Sequence, residues 1–505
     1  MERRSSDRQV NDSGTEFPTA SHSGRGQRPH AVVIGGGVAG LTAAHRLSRA
    51  GVAVTVAEGA PRVGGKIGSI SVAGVDVDSG AESLLARRPE ALRLIADLDI
   101  EDRITYPATT TSRIYSRGAL RAFPQGQVMG VPGDIAALAR SKVVSWRGAL
   151  RAARDLIWPA SPTSGDVSVA SYVGKRMGAE VVQRLVEPML GGVYAGRADR
   201  LSLAATLPQL APTALRQRSL ALAAREVKAT QAAASDPQRP VFATLRGGVA
   251  ELVAALGSSD GSAAPVTIET STTVRELRRL GRQWRLTVGP ASDPRTVTTD
   301  AVVLACPAPS ATRLLTGIAP PAAAELADID YASMVVVTLA LRRSAFPVPP
   351  TASGFLVPAR EGLAIKAATF SSVKWPWLAE ELRAANPTDD LILLRCSIGR
   401  VGQTALLQRS DEELVDLAVR DLGTVCGITE PPVDQRVTRW GGALPQYDVG
   451  HLDRVARVQA ALAEHPTLEV CGAAYNGVGI PACVASAEEA ALRVANELGP
   501  RVGQT

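Results

Sequence analysis

The chain has 505 residues, of which 45% are hydrophobic and 21% charged, and its formal net charge is +6. This length exceeds one ordinary hydrophobic core, so two or three domains are expected, and the composition is typical of a soluble globular enzyme. The 5 cysteines contain no CxxC pair, which argues against a disulfide framework or a cysteine metal site and favours a reducing, cytoplasmic location. No metal site and no nucleic-acid partner are expected.

The beginning of the chain is not expected to be a secretory signal. Residues 1–29 are polar and charged and lack the apolar core of a secretory signal, so we predict a disordered tail. No segment of the chain is apolar for long enough to predict a membrane-spanning helix.

A glycine-rich turn between a strand and a helix follows this tail. An apolar strand at residues 31–34 precedes the run Gly35-Gly36-Gly37-Val38-Ala39-Gly40. In such a G-x-G-x-x-G run the glycines allow a tight turn, a close approach of the backbone to a pyrophosphate, and packing of the next helix on the strand. A second strand, residues 52–56, leads to Glu58, where a carboxylate accepts the ribose hydroxyls of an adenosine. Together these residues predict a dinucleotide-binding site, and a plain strand–helix turn without a ligand is the alternative.

Two further runs distinguish FAD from NAD. The first is basic and glycine-rich and resembles a run of amine-oxidase-type flavoproteins that contacts the FAD phosphates and ribityl chain: Arg62-Val63-Gly64-Gly65-Lys66. An exposed basic turn is the alternative. The second run, which includes Gly80, Ala81 and Glu82, resembles the next element of the same fold. A simple NAD dehydrogenase needs neither run.

The C-terminus is predicted to return to the flavin. A strand at residues 468–472 ends on Gly472, and a loop containing Val478, Gly479 and Ile480 precedes a helix at about 482–498. A helix that begins there can direct N–H groups at the flavin N1–C2=O edge. A glycine-rich loop that only caps the helix is the alternative. Val274 lies where flavoproteins of the amine-oxidase type give the adenine a backbone contact, and an ordinary strand valine is the alternative.

With these motifs in place, the chain resembles the bacterial protoporphyrinogen/coproporphyrinogen oxidase family of haem biosynthesis, in its Gram-positive form. The resemblance covers nearly everything from residue 31 to residue 498, and the matching runs occur in the family's order. They lie at residues 80–89, 184–196, 354–358, 366–372 and 477–481.

The resemblance implies an α/β (α+β multidomain) architecture, with a discontinuous Rossmann-type FAD-binding domain, a mixed-sheet substrate domain and a helical domain. The FAD-binding domain is expected at 30–110, 236–305 and 425–500, the helical domain at 111–215, and the substrate-binding domain at 306–424. Local patterns agree in outline, since residues 134–158 and 168–190 show helical spacing, while 334–341 and 391–397 are typical of strands.

The implied reaction withdraws six electrons from a porphyrinogen in three flavin cycles, each passing a hydride from a bridging carbon to flavin N5, with O₂ as acceptor and H₂O₂ released. Acidified pyrrole N–H groups make a side-chain base unnecessary, and His451 is a weak catalytic candidate that as a lone histidine is more often structural. Alternatives are another flavoenzyme, such as a carotenoid desaturase or amine oxidase, and a flavin- or porphyrin-binding carrier without turnover.

A basic segment bears on the choice of substrate. Residues 111–155 contain eight Arg or Lys and two Asp, a balance of +6. We predict that Arg113 and Arg121, with Lys366 of a matching run, bind substrate carboxylates. Coproporphyrinogen III carries four propionates and protoporphyrinogen IX two, so coproporphyrinogen III is the predicted substrate and protoporphyrinogen IX the alternative. A solvated helix face or peripheral contact with a membrane would also explain these charges, and the oligomeric state is left open.

Overall fold

A computed structural model describes residues 28–160, 165–234, 240–258 and 263–499. Of the predicted tail, residues 1–27 lie outside the described residues. The strands are β1 (His30–Ile34), β2 (Ala53–Ala57), β3 (Ser69–Val72), β4 (Val75–Asp78), β5 (Leu84–Leu85), β6 (Ile104–Thr105), β7 (Ser112–Ser116), β8 (Ala119–Ala122), β9 (Gln127–Val128), β10 (Val131–Pro132), β11 (Phe242–Leu245), β12 (Val266–Glu269), β13 (Val274–Leu280), β14 (Gln283–Val288), β15 (Arg295–Thr299), β16 (Ala301–Leu304), β17 (Tyr331–Arg342), β18 (Gly354–Leu356), β19 (Ile365–Thr369), β20 (Leu391–Ile398), β21 (Asp434–Pro445) and β22 (Leu468–Val470).

Helices connect these strands, and a π-helical segment at Val182–Val186 joins two of them. The α-helices are α1 (Val38–Arg49), α2 (Pro89–Asp97), α3 (Ile135–Ser141), α4 (Trp146–Ala153), α5 (Val169–Met177), α6 (Ala179–Val181), α7 (Glu187–Tyr194), α8 (Leu203–Thr206), α9 (Ala211–Arg216), α10 (Leu220–Ala234), α11 (Ala250–Gly257), α12 (Ala308–Leu315), α13 (Pro320–Ala327), α14 (Ser371–Lys374), α15 (Pro376–Ala385), α16 (Thr404–Leu407), α17 (Asp411–Cys426), α18 (His451–Leu462) and α19 (Ile480–Leu498).

The nucleotide unit, as we name the part built on the five-stranded parallel sheet, has the strand order β12-β2-β1-β16-β22. All four residues of β16 are buried, because helices cover both faces of a parallel sheet. Residues of α1 and α19 pack on one face, and residues of α12, α13 and α18 pack on the other. Strand β22 pairs with β16, so the predicted return of the C-terminus to the first motif's sheet is confirmed.

The large sheet has seven strands in the order β21-β17-β20-β19-β18-β7-β8. Along β17, Val335, Val337 and Leu339 alternate onto the face that α17 covers, as the period of a strand requires. The predicted strands at 334–341 and 391–397 are confirmed as β17 and β20, each slightly longer than predicted.

The helical unit consists of α3 to α10 around one apolar cluster. The helical spacing predicted over 134–158 is divided between α3 and α4, because Asp134 and Ser145 each cap a new helix start: the Asp134 carboxylate accepts from the Ala136 amide at 2.8 Å, and Ser145 Oγ accepts from the Gly148 amide at 3.0 Å. The predicted helical segment 168–190 is α5 to α7, which the π-helical segment interrupts.

Strand pairing differs from the predicted segment boundaries at three places. Strands β7 and β8 belong to the large sheet rather than to the helical segment 111–215. Strand β21 also belongs to the large sheet, although it lies inside the segment 425–500 assigned to the flavin domain. Helices α12 and α13 pack on the nucleotide unit rather than in the segment 306–424. Local hydrophobic patterns identify a strand or helix but not the neighbour against which it packs, which explains all three differences.

The nucleotide unit and the large sheet meet at an ion network around Glu82. Its Oε1 accepts a hydrogen bond from Nζ of Lys374 at 2.7 Å, and its Oε2 accepts one from Nη1 of Arg395 at 2.9 Å. Arg395 also donates through Nη2 to the Gly80 carbonyl at 2.5 Å. Burial alone would raise the pKa of Glu82, but the charges of Lys374 and Arg395 outweigh it and lower the pKa to about 2. Glu82 therefore stays ionised and binds one cation of α14, Lys374, and one of the large sheet, Arg395.

Candidate flavin site

The first glycine turn leaves open space above the N-terminus of α1. A Cβ on Gly40 would lie 1.9 Å from the Gly35 carbonyl oxygen, so a side chain cannot fit there. A Cβ on Gly37 would have no heavy atom within 4 Å. The N-cap of α1 is Gly37, without a side-chain cap or an acidic residue in the first turn, so the N–H groups of Val38 and Ala39 begin the helix uncapped. This geometry admits a phosphate at the positive end of the helix dipole.

Glu58 follows β2 and braces the same turn. Its Oε2 accepts a hydrogen bond from the Gly36 amide at 2.6 Å, and its Oε1 accepts one from the Ala60 amide at 2.7 Å. Each carboxylate oxygen retains acceptor capacity for a hydroxyl group. Val274, which the sequence predicts to contact the adenine, begins β13, and its carbonyl accepts a hydrogen bond from Nη2 of Arg313 at 2.9 Å.

The second glycine run lies directly on the first. Gly64 forms a bridge with Gly37, and its amide donates to the Gly36 carbonyl at 2.8 Å. A Cβ on Gly65 would lie 3.2 Å from Cα of Gly37, so the two loops touch through backbone atoms.

The two basic residues of this run have different surroundings. The Arg62 guanidinium donates through Nη1 to the Ile67 carbonyl at 3.0 Å and through Nη2 to the Gly65 carbonyl at 3.3 Å, so it closes its own loop. The Lys66 ammonium lies 5.5 Å from the centroid of the Tyr331 ring, and burial lowers the pKa of Lys66.

The run from Gly80 to Glu82 contacts the site mainly through its backbone. A Cβ on Gly80 would lie 2.0 Å from the Lys66 carbonyl oxygen, which makes glycine necessary there. Ala81 packs beside the apolar cluster of α2 and α11. The Glu82 carboxylate is already bound by Lys374 and Arg395. Glu82, predicted to bind the cofactor, would therefore do so through its main-chain atoms.

The C-terminal loop passes from Gly472 to Gly479 before α19. Gly472 has φ of +113°, and its amide donates to Oγ of Ser486 at 2.9 Å. Val478 packs on the helical unit. Gly479 is the N-cap of α19, which begins at Ile480, two residues before the predicted start, with no acidic residue in its first turn. The start of this 19-residue helix presents the Ile480 N–H beside the loop, because Pro481 has no N–H and the Ala482 and Cys483 amides both donate to the Gly479 carbonyl.

Tyr447 and His451 bind the backbone of this loop. The Tyr447 hydroxyl donates to the Ala473 carbonyl at 2.6 Å and accepts from the Gly477 amide at 2.8 Å. His451 is 0% exposed, and its ring stacks on Tyr447 with centroids 3.9 Å apart. His451 Nε2 lies 2.9 Å from the Tyr475 carbonyl oxygen, and burial lowers the pKa of His451. The geometry favours a neutral histidine that positions the loop, against its weak candidacy as a catalytic base.

Sequence reasoning missed Tyr447, because nothing around it in the sequence indicates that its hydroxyl hydrogen-bonds two backbone groups of a loop about thirty residues further along the chain. Lys374 and Arg395 were missed for the same reason. The only signal was that each charged residue stands in or beside an apolar segment that the pattern assigns to a core.

The residues predicted to bind substrate are not brought together. Arg113 pairs with Ala122 across the hairpin, and Ile114 pairs with Arg121, so the two arginines stand on opposite faces of the large sheet. Nε of Arg121 donates to the Ser116 carbonyl at 2.8 Å. Lys366 lies on β19, buried between the large sheet and α7.

The family of the chain follows from comparison with known proteins. Residues 38–495 match the model of the flavin containing amine oxidoreductase family, and the chain belongs to that family. It is an FAD-dependent oxidoreductase, and the two glycine runs, Glu58 and the uncapped start of α19 fit an FAD.

Particular relatives narrow the class. The chain is 32% identical over 469 residues to the coproporphyrinogen III oxidase of Bacillus subtilis (strain 168), covering 90% of this chain and 96% of that one. It is 37% identical over 483 residues to the enzyme of the same name from Mycobacterium tuberculosis (strain ATCC 25618 / H37Rv), covering 94% and 98%. A crystal structure of a proposed protoporphyrinogen oxidase from Exiguobacterium sp. 255-15 superposes with a TM-score of 0.80 at 29% identity, covering 93% of this chain and 99% of that one.

We predict that Glu58→Ala weakens FAD binding without unfolding the protein. The substitution removes the acceptor for the ribose hydroxyls and for the Gly36 amide, which costs about 1–3 kcal/mol of FAD-binding free energy and raises the Kd for FAD about 5- to 150-fold. Equilibrium dialysis with fluorescence detection of released FAD measures this change. Glu276→Ala, an exposed glutamate on β13 of the same unit, is the matched control. Full FAD occupancy in Glu58→Ala would refute the adenosine placement.

Proposed function

We propose that this protein oxidises coproporphyrinogen III to coproporphyrin III, with O₂ as the electron acceptor and H₂O₂ as the second product. The observation that carries the proposal is the likeness to coproporphyrinogen III oxidases at 30–38% identity, which extends over at least 90% of this chain. The six electrons leave in three two-electron cycles, and each cycle reduces one O₂ to one H₂O₂. FAD, when bound, supplies the two-electron chemistry.

The residues of the chain bind and orient the cofactor and the substrate, and they exclude water from the site. The Ile480 N–H and the positive end of the α19 dipole favour negative charge at the cofactor edge beside Gly479. Tyr447 and His451 bind the backbone of the loop that leads into this helix start. No side-chain base is needed, since oxidation at a bridging carbon makes the pyrrole N–H protons acidic.

An amine substrate is less well supported. The tyrosine rings nearest the loop, Tyr447 and Tyr475, are buried and packed, so they do not form an open aromatic cage for an amine. Protoporphyrinogen IX remains the second candidate substrate, because a Bos taurus relative named protoporphyrinogen oxidase is 28% identical over 482 residues. Anaerobic bleaching of the flavin by a porphyrinogen would distinguish an enzyme from a carrier.

We predict a kcat/KM for coproporphyrinogen III at least tenfold above that for protoporphyrinogen IX, with three H₂O₂ released for each porphyrin formed. Fluorescence of the porphyrin product and a coupled peroxide assay measure both quantities. Arg121→Ala should narrow the ratio by weakening carboxylate binding. Arg113→Ala is the matched control: Arg113, also predicted from the sequence to bind a carboxylate, lies on the opposite face from Arg121 and its partner Ile114, which packs in the cluster of the helical unit. A preference for protoporphyrinogen IX would contradict the substrate assignment, and an unchanged ratio in Arg121→Ala would contradict the role of that residue.

We further propose that the protein works in the cytoplasm and touches the membrane surface through α4 and the turn that follows it. In the part of the chain that the structure describes, no helix is both long and apolar enough to cross a membrane. Arg147 and Arg154 lie in the same segment as four apolar side chains that are exposed by 46–80%. These four are Trp146, Leu150, Ile157 and Trp158. Apolar rings flanked by arginines suit the interface of an anionic bilayer.

We predict that the protein co-sediments with vesicles containing phosphatidylglycerol and not with pure phosphatidylcholine vesicles, and that added salt weakens binding. The double variant Trp146→Ser/Leu150→Ser should lose at least tenfold in vesicle affinity. Val348→Ser is the control, since Val348 is 78% exposed elsewhere on the surface. Equal binding of wild type and the double variant would refute this contact.

A further inference from the structure

A cavity of about 390 Å³ lies between the helical unit and the large sheet. Its walls come from α7, the turn after α7, the ends of β18 and β19, and the loop after β20. None of the residues proposed to hold FAD lines it. Its volume is at the lower end of ligand pockets, which run from roughly 300 to 1,000 Å³. A cavity of this size takes a short organic molecule or one arm of a larger ligand.

Lys366 enters this cavity because β19 is irregular there. Ile365 pairs with Ile398 and Ala367 with Ser397, so Lys366 is an extra residue opposite one step of β20. The Lys366 side chain is buried, with 4% of the residue exposed, and its Nζ has no hydrogen-bond partner. Burial, with a smaller contribution from the charge of Arg400, lowers the pKa of Lys366 to about 7.

Arg400 brings a second unsatisfied donor to the same cavity. Its Nη2 donates to the Val357 carbonyl at 2.9 Å and so anchors the guanidinium at the end of β18. Its Nη1 is buried and has no partner. Buried donors are nearly always satisfied in folded proteins, and one left without a partner costs free energy. Two cationic donors in one cavity therefore indicate an anionic ligand that bridges them.

The remaining charges around the cavity do not neutralise this pair. Arg197 and Asp199 bind each other, with a 2.5 Å contact between Nη2 and Oδ2, and both are about half exposed at the mouth of the cavity. Asp421 accepts hydrogen bonds from the amides of Ala364 and Ile365. Glu187 of α7 lines the wall, and burial raises its pKa. One carboxylate thus stands opposite two cationic side chains.

We propose that this cavity is a carboxylate-binding site, in which Nζ of Lys366 and Nη1 of Arg400 together hold one carboxylate group of a ligand. Planar carboxylates accept hydrogen bonds from two cations at once, and such charge-assisted bonds are the strong ones. The carboxylate belongs either to a propionate arm of the tetrapyrrole, a reading that rests on the proposed function, or to a free small organic acid.

Binding at this site takes up a proton. With a pKa of about 7 in the empty cavity, Lys366 is mostly neutral at pH 8, and a bound carboxylate favours its protonated form. The affinity for a carboxylate therefore falls as pH rises above about 7, by up to tenfold for each pH unit, until the pKa of the bound form is passed. Arg400 and the Arg197–Asp199 pair stay charged over this range, and deprotonation of Glu187, whose pKa burial raises, would act in the same direction.

The direct test is a pH titration of ¹³C-labelled lysine side chains by NMR, which the 6 lysines of the chain make tractable. Sodium propionate is the probe, with propionamide as its neutral analogue and sodium chloride as the salt control. We expect propionate alone to raise the pKa of Lys366 by at least one pH unit. Lys366→Met identifies the signal, and Lys175→Met, at an exposed lysine of α5, is the control. No change with propionate in the wild-type protein overturns the proposal.

Steady-state kinetics distinguish the two sources of the carboxylate. A KM for coproporphyrinogen III raised at least tenfold in Lys366→Met, with kcat retained and Lys366→Arg partly restoring KM, supports a substrate arm. An unchanged KM together with the propionate effect supports a free organic acid. Failure of the proposed function would appear as no porphyrinogen oxidation by the wild-type protein, while the propionate titration would still report on the site.

Discussion

The ion pairs of the Glu82 carboxylate are the contacts on which the arrangement of the candidate flavin site depends. It belongs to the run that follows β4, and it binds Lys374 of α14 and Arg395 of β20. The same run supports the second glycine loop, since Gly80 lies against the Lys66 carbonyl. Trp440 of β21 adds a hydrogen bond from Nε1 to the Ser79 carbonyl at 3.0 Å. The large sheet is thereby fixed over the loops proposed to hold FAD.

The opposite side of the site depends on the C-terminal loop. Tyr447 and His451 stand where β21 of the large sheet leads into α18 of the nucleotide unit, and they bind the backbone of residues 473–477. A tyrosine hydroxyl that satisfies one carbonyl and one amide fixes the loop without offering a group to the substrate. The lone histidine near the motif thus supports the loop, consistent with chemistry that needs no side-chain base.

Local signals were sufficient for the nucleotide unit. The turn at Gly35 to Gly40 and the carboxylate at Glu58 are set by spacing within one strand–helix–strand segment, so the sequence predicted their arrangement. Long-range pairing could not be predicted, because β21 has the same strand pattern whichever sheet it joins. The hairpin of β7 and β8 was assigned to the helical segment, and only the register shows that Arg113 and Arg121 face apart. Lys366 is an extra residue at an irregular step of β19, and no periodic pattern indicates such a step.

The central claim is that Glu82, kept ionised by Lys374 and Arg395, joins the two parts of the molecule around the flavin. Since its pKa is lowered from 4.5 to about 2, its stabilisation is present above pH 4.5 and is lost as pH falls towards 2. The decisive measurement is thermal unfolding of wild type and Glu82→Gln from pH 7 to pH 3. We expect the wild type to be more stable by about 3 kcal/mol at pH 7, with the difference shrinking below pH 4.5. A difference that is absent, or that does not change with pH, would contradict the claim.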